Sequence, residues 1–289
     1  MDTVPPVTRE HDRPLAGEPH PEQRLHWTLY GCEAVAMAVL MVAGITWVTV
    51  MLAPHSPLAR FLAPHPALRI ALCGFGFGLC GTVAAHTPFG RVSGAHVNPS
   101  VTLGFLLAGK LKPVDALGYM GAQLVGGLAG TAIVAGLGLL VPGWGRWTGS
   151  VRLAATVPNP AVPIFWPFAA ELCATFGLIF MLYWLASHPW WRWFTPWAGG
   201  VYFLLTNPLA VWLSGNSTNL FRSLAPAAFT GAWGGFWVYV AAPFIGSAAA
   251  VGVIRSRTLV RLHLPEARLI NFGHGGRVPP LRDPTRKPA

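Results

Sequence analysis

The sequence predicts an all-α membrane protein in which six helices cross the bilayer and two more reach only halfway, the whole arranged as an inverted repeat. Three observations carry this. Hydrophobic residues make up 53% of the 289 residues and charged residues only 10%, against about 25% charged in a soluble domain. The apolar stretches are long enough to cross lipid. Two short polar breaks also occupy corresponding places in the two halves. The first reads SGAHVNPSVTLG and centres on Asn98-Pro99-Ser100; the second reads GNSTNLFRSLAPAAF and centres on Asn219 and Arg222.

In chain order, residues 1–26 are polar and carry no apolar stretch of the kind a secretion signal needs, so no cleavable leader is expected. Their Pro, Arg and Glu content reads as a disordered tail. Spanning helices follow at about 27–52, 68–87, 115–141, 163–186, 196–214 and 233–254, near the ~20 residues a span requires. Two shorter apolar helices follow the breaks, at about 98–108 and 219–229. At ~1.5 Å per residue each covers about half of the hydrocarbon core. Residues 256–289 form a basic tail, read as disordered like the first. The membrane domain is thus 27–255, with halves at about 27–141 and 163–255. Each half holds three spans, an odd number, so the second enters the membrane upside down. Inverted repeats place their shared site at the interface between them, near the midplane.

Charge sets the orientation. The net charge is +10, but eight of the 20 basic residues lie between Arg255 and Lys287, after the last span. That distribution fits the positive-inside rule and argues against a nucleic-acid partner. One side of the six-span topology receives 15 Lys and Arg and the other four (Arg60, Arg69, Arg146, Arg152), with Arg222 left inside the second break. Both termini are therefore expected in the cytoplasm, in a multi-pass protein of the cell (plasma or inner) membrane. The cysteines Cys32, Cys73, Cys80 and Cys173 lie in apolar stretches without metal-ligand spacing and read as buried thiols; no metal or other cofactor is expected.

Only two acids lie deep in predicted spans, Glu33 and Glu171, each in the first span of its half. A membrane carboxylate is costly and marks either function or a structural linchpin. As functional groups they would couple protons to transport. As structural groups they would accept hydrogen bonds from the backbone of the broken loop in their own half, the reading favoured here because both halves need the same scaffold.

Irregular backbone at membrane depth survives only where protein buries it or water lines it. A helix N-terminus leaves several N–H groups free and carries about half a positive charge. Asn98 can cap the first half-helix through its side-chain oxygen, leaving its NH₂ as a donor to a passing molecule, and Pro99 suits the first helical turn. Asn219 is expected to do the same from the opposite side. One such Asn alone would be a helix cap and nothing more; the matched pair points to a pore. Two facing helix ends repel cations and orient each water oxygen to the centre, which interrupts a proton wire. Arg222 is costly at this depth unless carbonyls hold it and it faces water.

With these residues in place, the chain resembles the aquaporin, or major intrinsic protein, family. The first break matches the family pattern SGxHxNPAVTxG with Ser100 in place of Ala, and His96 falls on the family's loop histidine. The second matches N-P-A-R-S-x-G-P-A at Asn219, Arg222, Ser223, Pro226 and Ala227 and departs from it at Leu220, Phe221 and Ala225. Glu33 and Glu171 fall on the family's glutamates. The resemblance covers about residues 27–255. It implies an aquaporin-like fold, no enzymatic activity and no catalytic residues, and a homotetramer with one pore per subunit. It also implies that the two loops touch through the prolines of their motifs; Leu220 and Phe221 replace the Pro-Ala pair of the second, so bulky residues there should reshape that contact. Asn207-Pro208-Leu209 is a decoy, since it lies within the fifth span and has no Arg three residues on.

The resemblance further assigns a selectivity filter of Arg222, Phe77, Asn207 and Asn216. Strict spacing would give Gly78 in the second span; the local FGL pattern selects Phe77. Ser223 and Ala227 look like the water-channel pair. The expected function is a passive channel for water, extending to small uncharged solutes such as glycerol and excluding protons and ions. Its rivals are a proton-coupled secondary transporter using Glu33 or Glu171 and a non-conducting scaffold plugged by Leu220 and Phe221.

Overall fold

The computed structural model describes residues 25–256, 264 and 266–270. The N-terminal tail expected at 1–26 falls almost wholly outside the described residues, as do 257–263, 265 and 271–289 of the C-terminal tail.

Six long helices form a bundle, and the described residues contain no strand. They are α1 (Trp27–Leu52), α3 (Pro66–His86), α6 (Pro113–Leu140), α8 (Phe165–Ser187), α9 (Ala198–Ser214) and α11 (Trp237–Ser256). Short helices α2 (Pro57–Phe61), α4 (Pro88–Ser93) and α7 (Pro142–Ser150) sit between them, and α5 (Pro99–Leu107) and α10 (Leu220–Thr230) are the two half-helices. Every helix from α2 to α7 begins with a proline, a residue preset for the first helical turn, where its missing N–H is not needed. Helices α1, α3, α6, α8 and α11 are each long and apolar enough to span. Helix α9, at 17 residues, extends about 26 Å at 1.5 Å per residue; a 3₁₀ segment, Arg192–Trp197, leads into it.

The packing repeats with the sequence halves. Within each half the first and third spans pair, α1 with α6 and α8 with α11; the second spans, α3 and α9, pair across the halves. Each half-helix rests on the last span of the other half, α5 on α11 and α10 on α6. Small residues permit these approaches: a Cβ on Gly126 would strike the Ala34 carbonyl across the α1–α6 seam. Close backbone contact is the usual source of helix association in lipid, where apolar burial supplies little drive. Outward-facing positions stay apolar, including Leu117, Val125, Ile133, Val201, Leu205 and Leu209, as a lipid-facing surface requires. Exposed tryptophans gather at both ends of the bundle, Trp190, Trp191, Trp193 and Trp197 at one and Trp166, Trp233 and Trp237 at the other, where amphipathic rings favour the headgroup level.

Both ends of the helical core lie on the same face. His26 pairs with Asp115 at the start of α6, and Arg255 donates to the Leu107 carbonyl at the end of α5. We call this the terminal face and its opposite the far face. One expectation is corrected there. Composition reads the stretch after 255 as disordered, yet Leu264, Ala267, Arg268, Leu269 and Ile270 are all buried. Charge and proline content described the tail as a whole and hid a short apolar segment within it.

Candidate functional site: a two-fold loop pair and a neck between two cavities

The two breaks become near copies of one loop. Backbone φ is positive at Gly94, Ala95 and Val97 and again at Gly215, Asn216 and Thr218, matched positions 121 residues apart (94 and 215, 95 and 216, 97 and 218). A non-glycine residue held left-handed costs about 1–2 kcal/mol, so a scaffold must compensate. Ser93 Oγ accepts from Ala95 N at 3.1 Å, and Ser214 Oγ from Asn216 N at 3.3 Å. Tyr119 donates to the Ser93 carbonyl and Tyr239 to the Ser214 carbonyl.

The two membrane carboxylates complete the scaffold. Glu33 accepts from Val97 N and from Gln123 Nε2 at 2.8 Å. Glu171 accepts from Ser214 Oγ at 2.7 Å, Ser217 N at 2.8 Å and Thr218 N at 2.7 Å. Both are fully buried, at 0% exposure. Each therefore holds the loop of its own half, the geometry of the structural alternative.

Asn98 caps α5, its Oδ1 accepting from Ser100 N at 2.8 Å, with Pro99 as first helical residue. Asn219 caps α10, accepting from Phe221 N at 3.1 Å and Arg222 N at 3.2 Å. Their amides are not wholly free, as the sequence reading had them. Asn98 Nδ2 donates to the Thr218 carbonyl at 3.0 Å and Asn219 Nδ2 to the Val97 carbonyl at 2.8 Å. Each carboxamide has two N–H donors, so one ties the loops together reciprocally and the second is left for the cavity. The link between the loops thus runs through the two asparagines. Phe221 packs sideways into the cluster containing Met37 and Leu40 and leaves the Asn219 cap intact. His96 stacks on Phe105, with ring centroids 4.8 Å apart, and its Nδ1 lies 3.1 Å from Thr102 Oγ1.

Two cavities flank this centre. The outer one opens toward the far face and has about 240 Å³ of water-accessible space; the inner one lies toward the terminal face and has about 110 Å³. Asn98 and Asn219 line the inner cavity. Among the described residues only Phe77, Phe203 and Arg222 line both, so they form the neck between them. Arg222 is 7% exposed. Its guanidinium donates to the Ala154 carbonyl at 2.8 Å and sits 5.0 Å from the Phe77 ring centroid. Ala154 ends a run of three positive-φ residues, Arg152 to Ala154, which bends the chain after α7 inward. Phe203 meets Phe77 edge-on, with centroids 6.3 Å apart.

The structure puts Phe77, not Gly78, at the neck. Gly78 lines only the inner cavity and packs so closely on the Gly199 carbonyl that a Cβ would clash. Asn207 and Asn216 lie on the outer cavity, beyond the neck. Asn216 Nδ2 donates to Asn207 Oδ1 and to Thr206 Oγ1, both at 3.0 Å, and Asn207 Nδ2 reaches the Ile70 carbonyl at 3.3 Å. Asn207 is thus tied into a network, while Asn216 Oδ1 is buried without a partner on the cavity wall. Sequence reasoning missed Phe203 and the Ala154 carbonyl. Phe203 is four residues before Asn207, one helical turn deeper on the same face, so a search one turn to either side would have found it.

The chain matches the family profile described as Major intrinsic protein over residues 23–254. It belongs to the major intrinsic protein family. Relatives include a glycerol uptake facilitator protein-like protein of Lactiplantibacillus plantarum, 32% identical over 61% of this chain and 80% of that one. A probable aquaporin of Oryza sativa is 29% identical over 71% of this chain and 78% of that one. The lens fiber major intrinsic protein of Homo sapiens is 33% identical over 64% of this chain and 67% of that one. Among solved structures, the aquaglyceroporin of Plasmodium falciparum matches with a TM-score of 0.62 at 21% identity, covering 78% of this chain and 94% of that one. As a member of the major intrinsic protein family, the chain is a multi-pass membrane channel and not an enzyme.

Proposed function

We propose that this channel passes water in single file and admits solutes only when they are small and uncharged, with glycerol at the limit. The observation that carries this is the neck: two aromatic rings and one buried guanidinium separate a wider outer cavity from an inner one lined by both helix-capping asparagines. Arg222 repels cations and donates to a solute oxygen. Two rings at the neck, rather than small residues, favour water over a three-carbon polyol, in keeping with Ser223 and Ala227. Below the neck, the N-termini of α5 and α10 bring about half a positive charge each. The remaining amide N–H of each asparagine holds a water oxygen from two sides, so that water cannot accept a proton from its neighbour.

The loop-support roles of His96, Pro99, Ser100, Glu33 and Glu171 belong to the same reading. It is also supported against proton-coupled transport, because among the described residues no acid lines either cavity and both membrane glutamates face loop backbone. We further take the protein as a homotetramer, by family resemblance, with both termini cytoplasmic, by charge. Stopped-flow shrinkage of proteoliposomes tests the function. Fast water efflux without a pH gradient and much slower glycerol flux are expected. Osmotic permeability equal to that of empty liposomes in both the parent and variants with an opened neck would overturn it.

A further inference from the structure

The terminal-face end of the inner cavity is lined in part by a segment that follows the last span. Beyond α11 the described residues Leu264 and 266–270 pack beneath α4 and the first loop. The Ala267 carbonyl accepts from His96 Nε2 at 2.9 Å, and Leu269 N donates to the Gly94 carbonyl at 2.9 Å. The Arg268 guanidinium donates to the Val92 carbonyl at 3.2 Å and pairs with Glu266 at 3.3 Å. Arg268 is only 1% exposed. A buried arginine is costly unless its donors are met, so a chain lying loosely across the surface would not hold it there. Ile270 joins Ala85 and Ala95 in a small apolar cluster. Leu269 lines the inner cavity itself, beside His96 and Val97.

We propose that this segment is a tethered cap on the inner mouth, an autoinhibitory strap that limits entry and release of the permeant. The inference rests on the water-channel reading above. The strap hangs on the first loop through backbone carbonyls and His96, whereas the neck is built by α3, α9 and α10, so moving the strap changes the rate and leaves the choice of solute alone. The closed state needs Arg268 against Val92 and Leu269 in the mouth. The open state needs only that those few contacts break, with no change in the bundle.

The test uses the full chain in proteoliposomes, with water permeability normalised to the number of channels. The double variant Arg268→Ala/Leu269→Gly removes the anchor and the plug. If the strap covers the mouth for about two-thirds of the time, release raises unit permeability about threefold, with the water-to-glycerol ratio unchanged. A second measurement locks the strap. In a cysteine-free background, Ala85→Cys with Ile270→Cys is oxidised to a disulfide; permeability should fall and recover on reduction. If the parent conducts, the released variant conducts at the same unit rate and oxidation of the pair changes nothing, the strap has no such role while the channel reading stands. If neither parent nor released variant exceeds empty liposomes while a variant with an opened neck conducts, the strap has no such role; if the opened neck is silent too, the channel reading fails and takes the strap's role with it.

Discussion

At the scale of single residues, the neck divides its work between charge and size. Arg222 supplies the charge. It is buried, bonded to the Ala154 carbonyl and set over Phe77. Arg222→Val removes the positive centre and widens the neck, so water should still pass while larger or charged solutes gain entry; an unchanged solute range, measured side by side in proteoliposomes, would place the filter elsewhere. Phe203 supplies size. Phe203→Ala should raise glycerol permeability about tenfold, the equivalent of roughly 1.4 kcal/mol off the barrier. Asn207→Ala should change it far less, because Asn207 faces the outer cavity and is held by Asn216. Equal effects at the two positions would show that the neck lies one turn higher. The contrast also marks a limit of spacing arguments. A fixed offset from Asn219 finds Asn207, but the bundle turns Phe203 to where the two cavities meet, and a one-turn difference along a helix leaves no trace in a spacing count.

At the scale of elements, each half-helix depends on a loop bent into left-handed backbone and held by one buried carboxylate. Glu171 takes three donors from its loop. Glu171→Gln turns one acceptor oxygen into a donor facing another N–H. An unmet buried donor costs about 1–3 kcal/mol, so the variant should melt at lower temperature in detergent and lose water flux. Glu33→Gln should act more weakly on the first loop, because Val97 N and Gln123 Nε2 reach the same oxygen and the amide nitrogen can take the place of the other. Normal stability with selective loss of a proton-driven flux would revive the transporter alternative. The pairing of acid with loop was legible in the sequence, since each glutamate sits in the first span of its half. The reciprocal bonds from Asn98 Nδ2 to Thr218 and Asn219 Nδ2 to Val97 were not. They join residues more than a hundred positions apart, and only the opposed docking of α5 and α10 brings them within reach.

At the scale of the whole molecule, apolar surface outside and a polar seam inside define a protein built for a bilayer. With both helical ends on the terminal face and 15 of 20 basic residues assigned to that side, tags placed at the N- and C-termini should both be protected from protease in sealed right-side-out cells and cut after lysis. Cleavage of either tag in intact cells would reverse the orientation. The sequence by itself determined the six spans, the two half-helices, the inverted halves and the residues that cap and charge the centre. These follow from local causes: apolar length, proline at the first turn, asparagine as a cap, and the cost of an acid or arginine in lipid. Tertiary structure alone decided which aromatic rings lie between the two cavities, which way the asparagine amides point and that a piece of the tail packs against the first loop and lines the inner cavity. Those depend on how separate helices rotate and approach one another, and packing between distant segments has no local signal to read.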